Sequence, residues 1–422
     1  MALSTHGNID LTSYVAIGDS VTAGYIDGAL SYFGQQHAFP NLLANQFKSI
    51  GGSKFSQPLM VKNSIGVGFA GNASLILNPV AKHDGSVSFN LTYKESQGDL
   101  AAFSINKYDT EGPYHNIGIP GCKIISVVLE NYGNPKNGEG NYNPFFTRMA
   151  SKPTGTSILS DALLLNPTFF SVYLGNNDVL AYALSGGTLD AITPLTGKPS
   201  IGFEESLTLL IDSLLNVGAK GVIANLPDLN SIPYFAAIPF DGLLLNDNEC
   251  QRLNDLYGKH KLKFKKGNNP FVYFNSDESE IKQLQKGESV LFDIIFEKNK
   301  EDYLRGTIPL PKKYILTLSE KLKIQKTIID YNKFIKSISI KKNLAFVDVN
   351  GLLKKARTER VYNRSTLDFR FKNGGVFSLD ALHPNVFGQS LLANEFITSI
   401  NTTYKVNIPL LDHDNFKSII FP

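Results

Sequence analysis

The stretch YVAIGDSVTAGY, Tyr14–Tyr25, decides how the rest of the chain is read. An apolar run ends in Gly18-Asp19-Ser20. It departs from the G-x-S-x-G nucleophile elbow, because Thr22 stands where the second glycine belongs and the next glycine is Gly24. The run shows no alternation of apolar and polar residues, which suits a strand covered on both faces, as in a parallel sheet. Ser20 then has two readings. Serine is a favoured helix N-cap where a strand turns into a helix, and it is a nucleophile where a base stands beside it.

Similar runs recur. FFSVYLG (Phe169–Gly175), GVIANLP (Gly221–Pro227) and LAFVDV (Leu344–Val349) read as buried strands, with HNIGIP (His115–Pro120) a weaker fifth. Between and after them, Pro40–Ser49, Ser157–Leu165, Phe203–Leu215, Leu318–Ile338 and Pro384–Thr402 carry apolar residues at three- and four-residue spacing, as amphipathic helices do. Strand followed by helix, repeated, predicts an α/β fold on a parallel sheet. Two stretches break the rhythm. Gly51–Pro113 is rich in Gly, Asn and Ser, and SVSFNLTY (Ser86–Tyr93) within it predicts a small β-excursion; Asp241–Lys312 is polar and Lys-rich. Both read as insertions on a single domain spanning residues 1–422, expected to wall the substrate pocket.

Composition excludes several classes. The 41 basic and 38 acidic residues leave a net charge of +3, which gives no global attraction to nucleic acid or an anionic membrane. KHKLKFKK (Lys259–Lys266) reads as a solvated basic face, and DHD (Asp412–Asp414) as a solvated loop. Two cysteines, Cys122 and Cys250, cannot form a disulfide framework and read as packed thiols. No apolar run approaches the roughly 20 residues of a membrane span, and MALSTHGNID lacks the features of a signal peptide. The seven histidines show no H-x-x-x-H spacing, and no phosphate-cradling or dinucleotide motif occurs, so neither a metal nor a cofactor is expected.

The polar residues at the strand ends carry the chemistry. Ligands of open parallel sheets bind outside the carboxyl ends of the strands. There the chain places Gly18-Asp19-Ser20, then NIGIPG (Asn116–Gly121), then GNND (Gly175–Asp178), with SLDALHPN (Ser378–Asn385) before the last helix. A serine hydroxyl needs a base, and histidine, titrating at about 6.5, suits the task; His383 is the candidate. Asp380, three residues earlier, can fix its tautomer. The backbone N–H groups of Ser20 and Gly121 and the amide of Asn177 suit an oxyanion hole. Asn116 reads as a brace, and Asp19 and Asp178 as structural.

In these four blocks the chain resembles the SGNH, or GDSL-type, serine hydrolases. Gly18-Asp19-Ser20, Asn116–Gly121, the G-x-N-D of Gly175–Asp178 and the D-x-x-H-P of Asp380–Pro384 stand in the family's order, and GAKGVIANLPDLNSIP (Gly218–Pro233) resembles its intervening strand. The resemblance implies a flavodoxin-like three-layer α/β/α sandwich. It also implies ester hydrolysis through an acyl-enzyme, with Ser20 as nucleophile, His383 as base, Asp380 as its orienter, and Ser20, Gly121 and Asn177 as oxyanion donors. Two departures stand out: Val21 replaces a common leucine, and the 101 residues from Ser20 to Gly121 exceed those of small members. The Gly374–Tyr404 segment resembles a Bacteroidetes branch with many exported proteins and lipoproteins, which implies an exported location. Small-molecule, lipid and glycan esters, acetylated carbohydrate among them, are the substrates to expect. An acyltransferase on the same residues is the alternative, and a non-catalytic surface binding protein a further one.

Overall fold

The computed structural model describes residues 9–81, 87–189, 192–359, 361–362, 365–366 and 375–416. Five parallel strands form its central sheet: Tyr14–Gly18, Asn116–Gly118, Phe169–Tyr173, Lys220–Ala224 and Ala345–Val347. Numbered along the chain, they lie in the spatial order 2-1-3-4-5, the flavodoxin-like order. The register is continuous, with Ala16 opposite both Asn116 and Ser171, and Ser171 opposite Val222. All five residues of the first and third strands are buried, which explains their mostly apolar composition; the buried Ser171 hydroxyl is hydrogen-bonded to the Tyr14 hydroxyl at 2.7 Å. Right-handed crossovers put the connection between strands 1 and 2 on one face and the later ones on the other. The sheet therefore becomes the middle of three layers.

Each face has its own aromatic seam. The Phe39–Lys48 and Val386–Tyr404 helices pack together, with the Phe39 and Phe396 rings 4.7 Å apart and nearly parallel. The Phe203–Asn216 helix presents Phe203 to Tyr331 at 3.8 Å between centroids. The expected Ser157–Leu165 helix occupies Ile158–Leu163, with Ser157 and Ser160 closing a capping box. The strand expected over Leu344–Val349 is the shorter Ala345–Val347.

The chain divides into two compact units. One holds the sheet and comprises the chain up to Asn177, Thr193–Pro227 and the part from Asp330 onward; the other comprises Asp178–Ile192 and Asp228–Ile329. The Gly51–Pro113 stretch belongs to the first. Its β-excursion is an antiparallel hairpin, Leu75–Ala81 with Val87–Tyr93. The Asp241–Lys312 stretch lies within the second unit. There short antiparallel pairs, such as Leu243–Leu245 with Gly267–Asn269 and Val272–Phe274 with Ile281–Gln283, surround a core containing Leu253, Phe271, Val290 and Leu310. A buried Lys312–Glu320 ion pair at 2.9 Å ties the end of that core to the helix beginning at Leu318. Both cysteines are buried and neither forms a disulfide. Among the described residues no helix is long and apolar enough to cross a membrane.

Candidate active site

Ser20 opens a four-residue helix, Ser20–Ala23, directly beyond the first strand. The carboxylate of Asp19, the N-cap, accepts from Val21 N–H at 3.0 Å and from Asn176 Nδ2 at 2.8 Å. Burial raises the pKa of Asp19. Asn116, buried in the second strand, donates from Nδ2 to Thr22 O at 3.0 Å and accepts from Gly118 N–H, as a brace would. Gly118 lets the helix sit on that strand, because a β-carbon there would lie 2.2 Å from Ala23 N. From the last helix, fully buried Gln389 donates to Val21 O at 3.1 Å and accepts from Phe39 N–H at 3.0 Å. The sequence signal for Gln389 is slight, a polar side chain within an otherwise apolar helical stretch.

The Ser378–His383 loop faces this helix. Ser20 Oγ lies 2.8 Å from His383 Nε2, and His383 Nδ1 lies 2.8 Å from Asp380 Oδ2. Asp380 accepts four further hydrogen bonds: Ser378 Oγ, Leu382 N–H and His383 N–H to Oδ1, and Gly28 N–H to Oδ2, each at 2.9 Å. Burial pushes its pKa up, but the nearby His383 ring and the backbone N–H groups of His383 and Leu382 outweigh burial and hold the carboxyl at about 2. An ionised carboxylate only accepts, so His383 Nδ1 carries the proton and Nε2 accepts from the Ser20 hydroxyl. Ala381, buried between the two loop residues, adopts φ 60°, a region uncommon for a residue other than glycine and often found at functional sites.

The second and third blocks meet beside Ser20. Ile119-Pro120-Gly121-Cys122 is a turn closed by Cys122 N–H to Ile119 O at 3.0 Å, with Gly121 at φ 77°. Proline followed by a left-handed glycine is the type II signature, so the position demands glycine. Asn177 donates from Nδ2 to Cys122 O at 3.1 Å. Ser20, His383 and Asp380 are thus in direct contact, while Gly121 and Asn177 lie on the joined second and third blocks, which Asn176 ties to Asp19 next to Ser20; all five are in the sheet-bearing unit.

A second group lies outside the four sequence blocks. Tyr25–Ile26 and Ala29–Leu30 form a hairpin with Asp27 and Gly28 at its tip, at φ 55° and 75°. Two left-handed central residues make a type I′ turn, for which Asp-Gly between apolar residues is a strong signal, and the sequence displays it as YIDGAL. The Tyr25 ring lies against His383, 4.8 Å between centroids. Phe69, from the Gly51–Pro113 stretch, is 63% exposed and lies 5.5 Å from Tyr25 and 5.4 Å from Phe145, centroid to centroid. A β-carbon on Gly121 would lie 3.0 Å from Phe69 Cε1.

A family model described as GDSL-like lipase/acylhydrolase matches residues 14–396. The chain belongs to this family. As a GDSL-type protein it is a carboxylic ester hydrolase on an α/β/α fold. No curated protein matches it. Two solved structures are distantly similar. One, an acetyl xylan esterase, AlAXEase, is 13% identical with a TM-score of 0.34, covering 92% of this chain and 98% of its own. The other is described as a GDSL-like lipase from Parabacteroides merdae, 12% identical with a TM-score of 0.33, covering 93% and 98%. At these scores neither likeness bears on the substrate. Among the described residues of this GDSL hydrolase, no group of three His, Cys, Asp or Glu side chains could hold a metal ion.

DHD departs from its sequence reading. His413 is docked on the last helix, with Nδ1 3.1 Å from Ser390 Oγ and Nε2 2.9 Å from Asn394 Nδ2, while Asp412 and Asp414 are exposed.

Proposed function

We propose that the chain cleaves carboxylic esters through an acyl-enzyme on Ser20. The observation that carries the reading is the pair of 2.8 Å contacts linking Asp380, His383 and Ser20. As Ser20 Oγ attacks the ester carbonyl, its proton passes to His383 Nε2. The Asp380 carboxylate holds Nδ1–H and offsets the positive charge that forms on the ring. The tetrahedral oxygen is met by the N–H groups of Ser20 and Gly121 and by Asn177 Nδ2. Donors of this kind are worth about 3–4 kcal/mol apiece in hydrolases. His383 then gives its proton to the departing alkoxide. Water, activated by the same ring, attacks the acyl-serine and frees the acid.

The exposed Phe69 ring, lying against buried Tyr25 and beside Gly121, supports esters that present an apolar or ring face to it, whether on a small molecule, a lipid or a glycan. The test is Ser20→Ala assayed on p-nitrophenyl acetate and on a panel of graded acyl esters and acetylated glycans. The expected outcome is a kcat lower by roughly 10⁴-fold or more, with the circular dichroism unchanged. Turnover at the wild-type rate in the folded variant would remove Ser20 from the reaction.

A further inference from the structure

We propose that Asp27, at the tip of the Tyr25–Leu30 hairpin, is a positioning residue that holds the Asp380 loop in register with His383. The proposal rests on the reading of Asp380, His383 and Ser20 as the reacting set. Its basis is a reciprocal clamp. Leu379 N–H donates to Asp27 Oδ1 at 2.9 Å, and Asp27 N–H donates to Ser378 Oγ at 3.1 Å. Ser378 Oγ in turn donates to Asp380 Oδ1, and the next hairpin residue, Gly28, donates its N–H to Asp380 Oδ2. Three consecutive residues of the loop, Ser378, Leu379 and Asp380, are therefore each tied to the hairpin tip.

The hairpin is itself anchored close to the reacting atoms. The Tyr25 hydroxyl donates to Gly28 O at 2.6 Å, and the Tyr25 ring flanks His383. The same two-residue turn thus fixes one oxygen of Asp380 directly and the backbone that carries Asp380 through Asp27. Without the Asp27 carboxylate, Leu379 N–H loses its partner in a half-buried setting and the loop gains freedom at the residue next to Asp380. A displacement of about 1 Å at a reacting group can cost on the order of 100-fold in rate. The Asp27 carboxylate is committed to the Asp380 loop through Leu379 N–H, so the cost should fall on kcat.

The test uses substitutions that respect the turn. Asp27→Gly keeps a type I′ turn, since Gly-Gly favours it, and removes only the carboxylate. Asp27→Asn restores the Oδ1 acceptor and tolerates the left-handed conformation. The expected result for Asp27→Gly is a kcat lower by roughly 10- to 100-fold with KM within about twofold. The rate of Ser20 labelling by a fluorophosphonate should fall in step, and Asp27→Asn should recover both to within about threefold. Ser378→Ala, which removes the other half of the clamp, should lower kcat in the same direction. Wild-type kcat and labelling rate in Asp27→Gly, or loss of activity that Asp27→Asn does not restore, would overturn the clamp. Absence of Ser20 labelling in the active wild-type protein would instead overturn the nucleophile reading beneath it.

Discussion

The proposed role of Ser20 rests on what surrounds it, and the most telling neighbour is Asp380. Five donors converge on one buried carboxylate, and its pKa falls to about 2 in spite of burial. The folded value lies below the ordinary one of about 3.9. The native state therefore binds fewer protons than the unfolded chain between those values. The resulting stability is fully present above pH 4 and is lost as pH falls through about 2. An ionisation seen in a pH–rate profile between pH 5 and 8 is accordingly not that of Asp380. Asp380→Asn should leave the substrate site intact while favouring the wrong histidine tautomer. We expect kcat to fall by roughly 10³- to 10⁴-fold with little change in KM, and the acid unfolding midpoint to lose its contribution from this group. Steady-state kinetics and pH titration of the fold check both.

At the scale of elements, the short Ser20–Ala23 helix is too small to hold itself and is held by others. Gly118 lets it approach the second strand, Asn116 bonds its backbone, and Gln389 reaches it from the final helix. Gln389→Ala would strand the buried Phe39 N–H and leave Val21 O with the Gly24 N–H alone, at a cost of about 1–3 kcal/mol. We expect a lower urea midpoint together with a reduced kcat, because the helix that carries Ser20 loosens. A lowered midpoint with unchanged kcat would show Gln389 to be structural only. These supports also show where sequence reading stops. Four of the five sheet strands, and the helices Phe39–Lys48, Ile158–Leu163, Phe203–Asn216, Leu318–Lys341 and Val386–Tyr404, announce themselves through composition and periodicity; the second strand does so only weakly, and Asn177–Leu184 and Val349–Glu359 do not. The four polar blocks lie where a parallel sheet puts its ligands. YIDGAL announces a hairpin too, but its job is a contact with a residue 352 positions away, and no local pattern carries that. Gln389 reads as one more polar residue of a helix, yet it is fully buried. The Asp241–Lys312 stretch reads as polar, because its strands are two or three residues long and its apolar residues are scattered between lysines.

For the whole molecule, the central fact is that Ser20 and His383 stand 363 residues apart in sequence and 2.8 Å apart in space. The sheet exists between them: its first strand delivers Ser20, and only after its last strand does the chain return with the Ser378–His383 loop. If Ser20 is the nucleophile we propose, it should be reactive only in the folded chain. The direct measurement is labelling by a fluorophosphonate followed by peptide mass spectrometry, run across a urea titration beside circular dichroism. The account predicts a single adduct on the peptide containing Ser20, absent from Ser20→Ala and strongly reduced in His383→Ala, with labelling lost at the urea concentration where the fold is lost. An adduct on another residue, or an active folded protein that takes no label, would contradict it.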